Sequence, residues 1–369
     1  MAKRSFCASE NSPAVAFLSP VLVLQRRVSL DDRVQKKSLQ GRGRLWSCWP
    51  KSVQRLPKAD PVSGINGMKL DGLIAAAHTP MNDDFSVNYE QVPAQAGHLA
   101  KLGVRGVFVG GTTGECHSLT TGERQKLFDS WGGVNQDNDL KFVAHVGHNN
   151  LPDAQALVQT AREAGADAIS AMAPNFFKPA DAAALCDWFV EVTKPAPEMP
   201  FYFYDIPKMT GVTIDTLEFL GLAREQLPGF VGVKFSNPDD DLLQACLRNN
   251  GGTTSILYGI DERFLDGLKM GCQGAVGSTY NFAAPLYRKI KAAFDEGNLD
   301  SARENQARSV EMIRRMYECD FIPAAKAVMA IVGVDCGPVR PPLQRLAPEK
   351  IDQLRRDLDA MGFFDWAVN

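Results

Sequence analysis

The sequence predicts an α/β protein, a (β/α)8 barrel with a C-terminal helical extension, and three observations lead there. Short apolar runs alternate with amphipathic stretches bounded by Gly, Pro, Asn and Asp. Eight such runs follow one another from residue 73 to residue 277, evenly enough to favour a closed barrel over a doubly wound sheet. Amine, hydroxyl and carboxylate side chains gather where the runs end, and a barrel builds its active site at the C-terminal ends of its strands.

Residues 1–67 lie apart from this pattern. They carry twelve Lys/Arg against four Asp/Glu, a net +8, and show no sustained period around one short apolar patch, residues 14–24. Ser19 and Pro20 break that patch, which argues against a secretory signal, and Asp31 and Asp32 weigh against an Arg- and Ser-rich transit peptide. The expectation is a basic, disordered extension that is dispensable, with a functional start at or near Met68.

The expected strands are residues 73–79, 106–109, 142–146, 168–173, 201–206, 230–234, 255–258 and 274–277. The helices between them announce their ends: Pro152 stands at a helix start, Ala154, Leu157, Val158 and Ala161 share one face, and Gly165 follows the end. After the last strand come helical patterns at 285–296, 301–317, 322–332 and 348–361, more than a barrel needs for closure. The expected organisation is therefore an extension over 1–67, a catalytic barrel over 68–296 and a helical extension over 297–369.

Composition excludes several functions. The formal charge of −3 becomes −11 once residues 1–67 are set aside, and an acidic body is a poor partner for nucleic acid. The eight cysteines contain no C-x-x-C pair, so neither a zinc site nor a disulfide framework is expected, and reduced thiols in a cytoplasmic compartment are. No run reaches the roughly eighteen apolar residues of a membrane span.

The chemistry centres on Val231-Gly232-Val233-Lys234-Phe235-Ser236. Val231, Val233 and Phe235 alternate along the run, so Lys234 faces the other side, which in a barrel is also buried. An ammonium buried there costs several kcal/mol unless it is paired or deprotonated, and deprotonation creates the amine nucleophile of Schiff-base chemistry. A lone lysine can also snorkel to solvent from a strand end, so the neighbouring motifs decide.

Gly110-Gly111-Thr112-Thr113-Gly114-Glu115 follows the second strand, and its glycines, successive N–H groups and two hydroxyls can cradle a carboxylate. It lacks the spacing of a phosphate or dinucleotide loop. The plainer alternative is a Gly-rich turn in which Thr113 and Glu115 cap the next helix. Tyr202 and Tyr204 share a face of the fifth strand, and one of them should reach the barrel mouth as a proton carrier or as a packing aromatic. Gly259-Ile260-Asp261-Glu262 after the seventh strand either offers carboxylates to a polyol or opens a helix. Gly277-Ser278-Thr279-Tyr280-Asn281 again sets hydroxyls after a glycine. His145 and His148 have a ligand-like spacing but no third ligand nearby, so they are read as structural and no metal is expected.

Taken together, Gly111-Thr112-Thr113-Gly114-Glu115, Tyr204-Asp205-Ile206-Pro207, Gly232-Val233-Lys234-Phe235-Ser236 and Gly277-Ser278-Thr279-Tyr280-Asn281 resemble the N-acetylneuraminate lyase (sialic acid aldolase) branch of the dihydrodipicolinate synthase family. The resemblance covers about residues 68–360 and implies a TIM barrel that handles pyruvate as a class I aldolase. It implies that Lys234 forms the Schiff base, Tyr204 relays protons, and Thr112 and Thr113 hold the pyruvate carboxylate. Gly259, Asp261, Glu262 and Ser278 would hold sugar hydroxyls, with Ser236 and Gly277 lining the pocket. It also implies a cytoplasmic homotetramer that needs no cofactor. Within the family, dihydrodipicolinate synthases usually carry an arginine two residues beyond the proline of the tyrosine motif, where this chain has Met209. Cys116, His117 and Asn175 also depart from the common pattern and bear on acyl-group preference.

The expected activity is reversible cleavage of N-acetylneuraminate to N-acetylmannosamine and pyruvate. Another class I pyruvate aldolase or hydratase would differ in its acceptor aldehyde. A catalytically silent keto-acid sensor would bind without turnover, and a flavin- or NAD-dependent barrel would show cofactor absorbance, though no motif supports one.

Overall fold

The structure, a computed structural model, describes residues 70–367. The basic segment 1–67 and the expected start at Met68 lie outside the described residues. Eight parallel strands close into a barrel in sequence order: β1 (Gly72–Ala76), β2 (Gly106–Val109), β3 (Lys141–His145), β4 (Ala168–Met172), β5 (Phe201–Asp205), β6 (Phe230–Phe235), β7 (Ser255–Tyr258) and β8 (Gly274–Gly277), which pairs back onto β1. Each run expected as a strand is one, with ends moved by at most three residues. The largest change is at β1, which ends at Ala76: the Ala77 N–H still donates to the Phe108 carbonyl, and Thr79 turns to hold the turn after β2.

Period-two alternation sorts the strand residues into two apolar clusters. Ile74, Phe108, Val143, Met172, Tyr204 and Val276 fill the barrel interior. Their neighbours Leu73, Val107, Val109, Phe142 and Ala144 face the helices and join the larger core. In the helical layer, α1 (Val92–Lys101), α2 (Thr121–Gly132), α3 (Leu151–Glu163) and α4 (Ala182–Thr193) follow β1 to β4. The short α5 (Pro207–Thr210) and α6 (Thr216–Gln226) follow β5, α7 (Asp240–Arg248) follows β6, and α8 (Phe264–Met270) and α9 (Tyr280–Asp295) follow β7 and β8.

Local sequence explains the helix ends. Asn150 caps α3 by accepting from the Asp153 N–H, with Pro152 in the first turn, where its missing N–H costs nothing. The expected start of the final barrel helix at residue 285 is corrected to Tyr280: the helix begins earlier and kinks at Ala283, because Pro285 can neither donate a hydrogen bond nor allow an ordinary helical turn before it. Beyond it lie α10 (Leu299–Tyr317), α11 (Phe321–Ile331), α12 (Pro348–Ala360) and α13 (Phe363–Trp366). α10 packs along α9, and α11 and α12 pack on α10. Among the described residues no helix is long and apolar enough to cross a membrane, and the six described cysteines are free thiols.

Candidate active site

Alternation along β6 sends Lys234 into the barrel, where it is 5% exposed. Its Nζ lies 3.5 Å from the centre of the Tyr204 ring and 4.8 Å from that of Phe108. Among the described residues this nitrogen has no hydrogen bond and no ion pair. Register explains the meeting, since Tyr204 on β5 is the direct partner of Lys234 on β6. The Tyr204 hydroxyl lies 3.4 Å from Thr112 Oγ1, so amine, phenol and the turn after β2 form one continuous patch.

The two inward tyrosines part company. The Tyr202 hydroxyl contacts Ser255 Oγ at 3.2 Å and accepts from the Leu70 N–H, toward the N-terminal end of the barrel. Tyr204 stands two residues nearer the C-terminal end and is the tyrosine at the mouth.

The turn after β2 is held on every side. Gly110 has a left-handed φ of 68°, the Glu115 and Cys116 N–H groups close back onto the Thr112 and Gly111 carbonyls, and Thr79 Oγ1 donates to the Gly114 carbonyl at 2.7 Å. Thr113 Oγ1 lies 2.6 Å from Ser278 Oγ, which ties the turn to the segment after β8. The alternative in which Glu115 caps the next helix is overturned. Glu115 sits at φ 57° and makes no cap, whereas Thr120 and Glu123 form the capping box of α2. The Glu115 carboxylate instead turns inward to Lys326 Nζ of α11, 2.8 Å away, both side chains being nearly inaccessible. It also accepts from the Arg340 N–H at 2.8 Å, while the Arg340 guanidinium grips both oxygens of Glu123 and the Ser118 carbonyl. Burial draws the Lys326 ammonium below its usual pKa and Glu115 pulls the other way. The Arg340 fork holds the Glu123 carboxyl down to about 2.

After β7, Asp261 and Glu262 take one of the two courses their sequence allows. They open a short turn, Asp261–Arg263, ahead of α8, and the Asp261 carboxylate is buried. Burial pushes its pKa up to about 6, against the two hydrogen bonds it accepts from Thr279. Glu262 is half-buried, and its charge reaches Asp261. Ser236 Oγ donates to the Gly259 carbonyl at 3.2 Å. Glycine is required at both strand ends: a Cβ on Gly259 would collide with Ser236 Oγ, and one on Gly277 with Asp261 Oδ1. Met209 is exposed on α5.

Several residues at the site escaped the sequence reading. Phe108 packs edge-on against Tyr204 with ring centres 5.7 Å apart, and the alternation of Val107 and Val109 on β2 was the signal for it. His145 lines the same wall, 6.0 Å from the Tyr204 ring; burial and the neighbouring Arg124 hold it well below its usual pKa. His148 remains outside, half-exposed beside Asp153. No local signal pointed to Lys326 or Arg340.

A closed parallel barrel whose amine, phenol, hydroxyls and buried carboxylate converge at the C-terminal strand ends is built as an enzyme of the α/β-barrel class. Comparison with known proteins narrows this. The sequence model of the dihydrodipicolinate synthetase family matches residues 69–361, and the chain belongs to that family. It is 38% identical to the N-acetylneuraminate lyase of Rattus norvegicus over 304 residues, which is 81% of this chain and 94% of the relative. Among solved structures, Proteus mirabilis N-acetylneuraminate lyase superposes with a TM-score of 0.78 at 36% identity, covering 80% of this chain and 100% of that one. A Ruminococcus gnavus sialic acid aldolase, described as a catalytic lysine mutant, superposes at 0.75 with 28% identity over 80% of this chain and 96% of that one.

Proposed function

We propose that this chain is a carbon–carbon lyase, a class I pyruvate aldolase that cleaves N-acetylneuraminate reversibly to N-acetylmannosamine and pyruvate. The observation that carries the reading is Lys234, an amine inside the barrel against the Tyr204 ring with no hydrogen bond or ion pair among the described residues, in a chain alike over nearly its whole barrel to N-acetylneuraminate lyases. The naming of a catalytic lysine in the Ruminococcus gnavus relative supports the same assignment.

The geometry supports a full cycle. The Lys234 amine attacks the C2 ketone of the open-chain sugar acid and expels water, forming an iminium whose π-bond accepts the electrons of the breaking C3–C4 bond. Tyr204, at hydrogen-bonding range of Thr112, gives its proton to the hydroxyl that leaves as water when the iminium forms, takes the C4 hydroxyl proton as the aldehyde forms and returns it to C3 of the enamine. Water then releases pyruvate and restores the amine. Thr112 and Thr113, with the N–H groups of their turn, hold the carboxylate. Asp261, Glu262, Ser278 and the backbone at Gly259 receive the sugar hydroxyls, and Ser236 and Gly277 shape the space between. The chemistry of these groups calls for no metal or organic cofactor.

Assembly and location belong to the same proposal: a homotetramer working in the cytoplasm. The Phe176–Phe177 pair, 77% and 85% exposed, supports association, because adjacent bare aromatic rings are surface that assemblies cover.

Pyruvate with borohydride should leave a reduced adduct that peptide mapping places on Lys234, and N-acetylneuraminate should release pyruvate. An adduct on another lysine overturns the nucleophile. Efficient condensation with aspartate semialdehyde, without cleavage of any sialate, overturns the substrate and favours a dihydrodipicolinate synthase-like enzyme. A buried second carboxylate needs a cationic partner, and Met209 supplies none.

A further inference from the structure

Asp261 is held by residues well beyond the pocket. Its Oδ2 accepts from the Thr279 N–H at 3.0 Å and from Thr279 Oγ1 at 2.6 Å. A carboxylate only accepts, so the single Thr279 hydroxyl proton is committed to it. The Tyr287 hydroxyl lies 2.7 Å from the same Thr279 oxygen and must therefore donate to it. Behind Tyr287 stands the Ser309 hydroxyl of α10, which receives the Gln306 side-chain N–H at 2.7 Å. Gln306 also donates to the Asp261 backbone carbonyl at 3.2 Å and accepts from the Leu265 N–H at 2.8 Å, which returns the network to the turn where it began. Thr279, Tyr287 and Ser309 are fully buried.

The line from Tyr287 through Thr279 points toward Asp261 Oδ2, and the Ser309 hydroxyl behind it donates to the Gln306 backbone carbonyl at 3.0 Å, while no described group donates to Oδ1. Oδ1 faces Gly277, whose missing side chain leaves it clear. Such a line polarises each bond along it and is worth more than its pairs taken singly.

We propose that Thr279, Tyr287, Ser309 and Gln306 are positioning residues for sugar recognition. They keep one Asp261 oxygen occupied and present the other to a substrate hydroxyl, which makes α10, a helix outside the barrel, part of the selection of a polyol chain. This rests on Asp261 being a sugar-hydroxyl acceptor. The charged and titratable groups around it are Glu262, which disfavours its anion, Lys234, which favours it, and Tyr280, Tyr287 and Tyr317, which feel its charge.

The test uses the full chain with Thr279→Val, Thr279→Ser and Tyr287→Phe. Wild type is first assayed for cleavage of N-acetylneuraminate; without that cleavage the functional reading fails, and this inference falls with it before any variant is compared. With it, Thr279→Val should raise the sialate KM about tenfold, the worth of one hydrogen bond to a charged acceptor. Losing a donor also disfavours the Asp261 anion, so the acid limb of kcat/KM should move about half a unit or more toward alkaline pH. Tyr287→Phe should shift both in the same direction by less, and Thr279→Ser should restore both. The borohydride-trapped pyruvate adduct on Lys234 should form at the wild-type rate throughout. A wild-type KM and acid limb in Thr279→Val overturn the proposal. So does an equal loss of sialate cleavage and pyruvate adduct that Thr279→Ser fails to rescue, because that pattern marks a general packing defect.

Discussion

Replacing Gly277 by alanine adds one methyl group at the end of β8 and should disable sugar recognition while leaving pyruvate chemistry intact. The backbone there is not left-handed, so the residue itself tolerates a side chain. Its surroundings do not: the new Cβ would lie 2.7 Å from Asp261 Cγ and 2.6 Å from Tyr280 Cζ. The Tyr280 ring cannot yield, being buried edge-on against Tyr287 with ring centres 4.6 Å apart. The carboxylate must therefore swing away and give up its two bonds from Thr279. Bonds to a charged acceptor are worth about 1.5–3 kcal/mol each, so the cost is roughly 3–6 kcal/mol. If the backbone gives instead, ordinary overpacking costs about 1–3 kcal/mol. At about 2 °C per kcal/mol for a domain of this size, the larger figure lowers Tm by roughly 6–12 °C. One lost acceptor for a sugar hydroxyl should lower kcat/KM for sialate by about ten- to a hundredfold. Thermal melts, coupled detection of released pyruvate and borohydride trapping on Lys234 read the three quantities separately. A variant with unchanged Tm and sialate kcat/KM within twofold of wild type would refute the reasoning.

Tyr204→Phe keeps the ring beneath Lys234 and removes only the hydroxyl, so turnover should fall about a hundredfold or more at unchanged Tm. Tyr202→Phe, which loses its bond to Ser255 at the other end of the barrel, should cost about 1 kcal/mol of stability and leave turnover untouched. Lys326→Met strands the Glu115 carboxylate in the interior and should destabilise by about 3–5 kcal/mol, whereas the double variant with Glu115→Gln should regain most of that in thermal melts. Burial holds His78 down to about 3, so the folded chain refuses a proton that the unfolded chain accepts. Stability from this group is therefore whole above pH 6.5 and is lost toward pH 3, at up to about 1.36 kcal/mol per pH unit. His78→Leu should flatten the stability profile in that window, and a slope equal to wild type in denaturation between pH 6.5 and 4 would count against it.

What the sequence revealed and what it hid follow from the range of the interactions. Alternation is a property of one strand, so it was enough to turn Lys234 inward and to place Tyr202 and Tyr204 on one face. Which tyrosine reaches the mouth depends on position along the strand, and two residues of rise separate a bond to Ser255 from a contact with Thr112. The early start of α9 was masked because Pro285 reads as a helix beginning, and only the kink at Ala283 accommodates it further in. The capping alternative for Glu115 failed for a different reason. A glutamate after a Gly-rich turn has the local appearance of a cap, and its partners stand more than two hundred positions away, where no period or spacing announces them. The ordering of Asp261 by Thr279, Tyr287 and α10 is equally silent in the sequence.

The separation between Glu115 and its holders has a consequence for how the molecule comes into being. Glu115 and Arg340 are 225 positions apart, and Glu123 and Arg340 are 217 apart. During synthesis the turn after β2 emerges first, and the groups that lock it leave the ribosome more than two hundred residues later. A nascent chain can complete all eight strands and still lack the lysine and the arginine that hold the turn after β2. The stretch that carries them contains no candidate site residue, and a tag, a nick or a fusion partner placed there would act on the turn after β2 from behind.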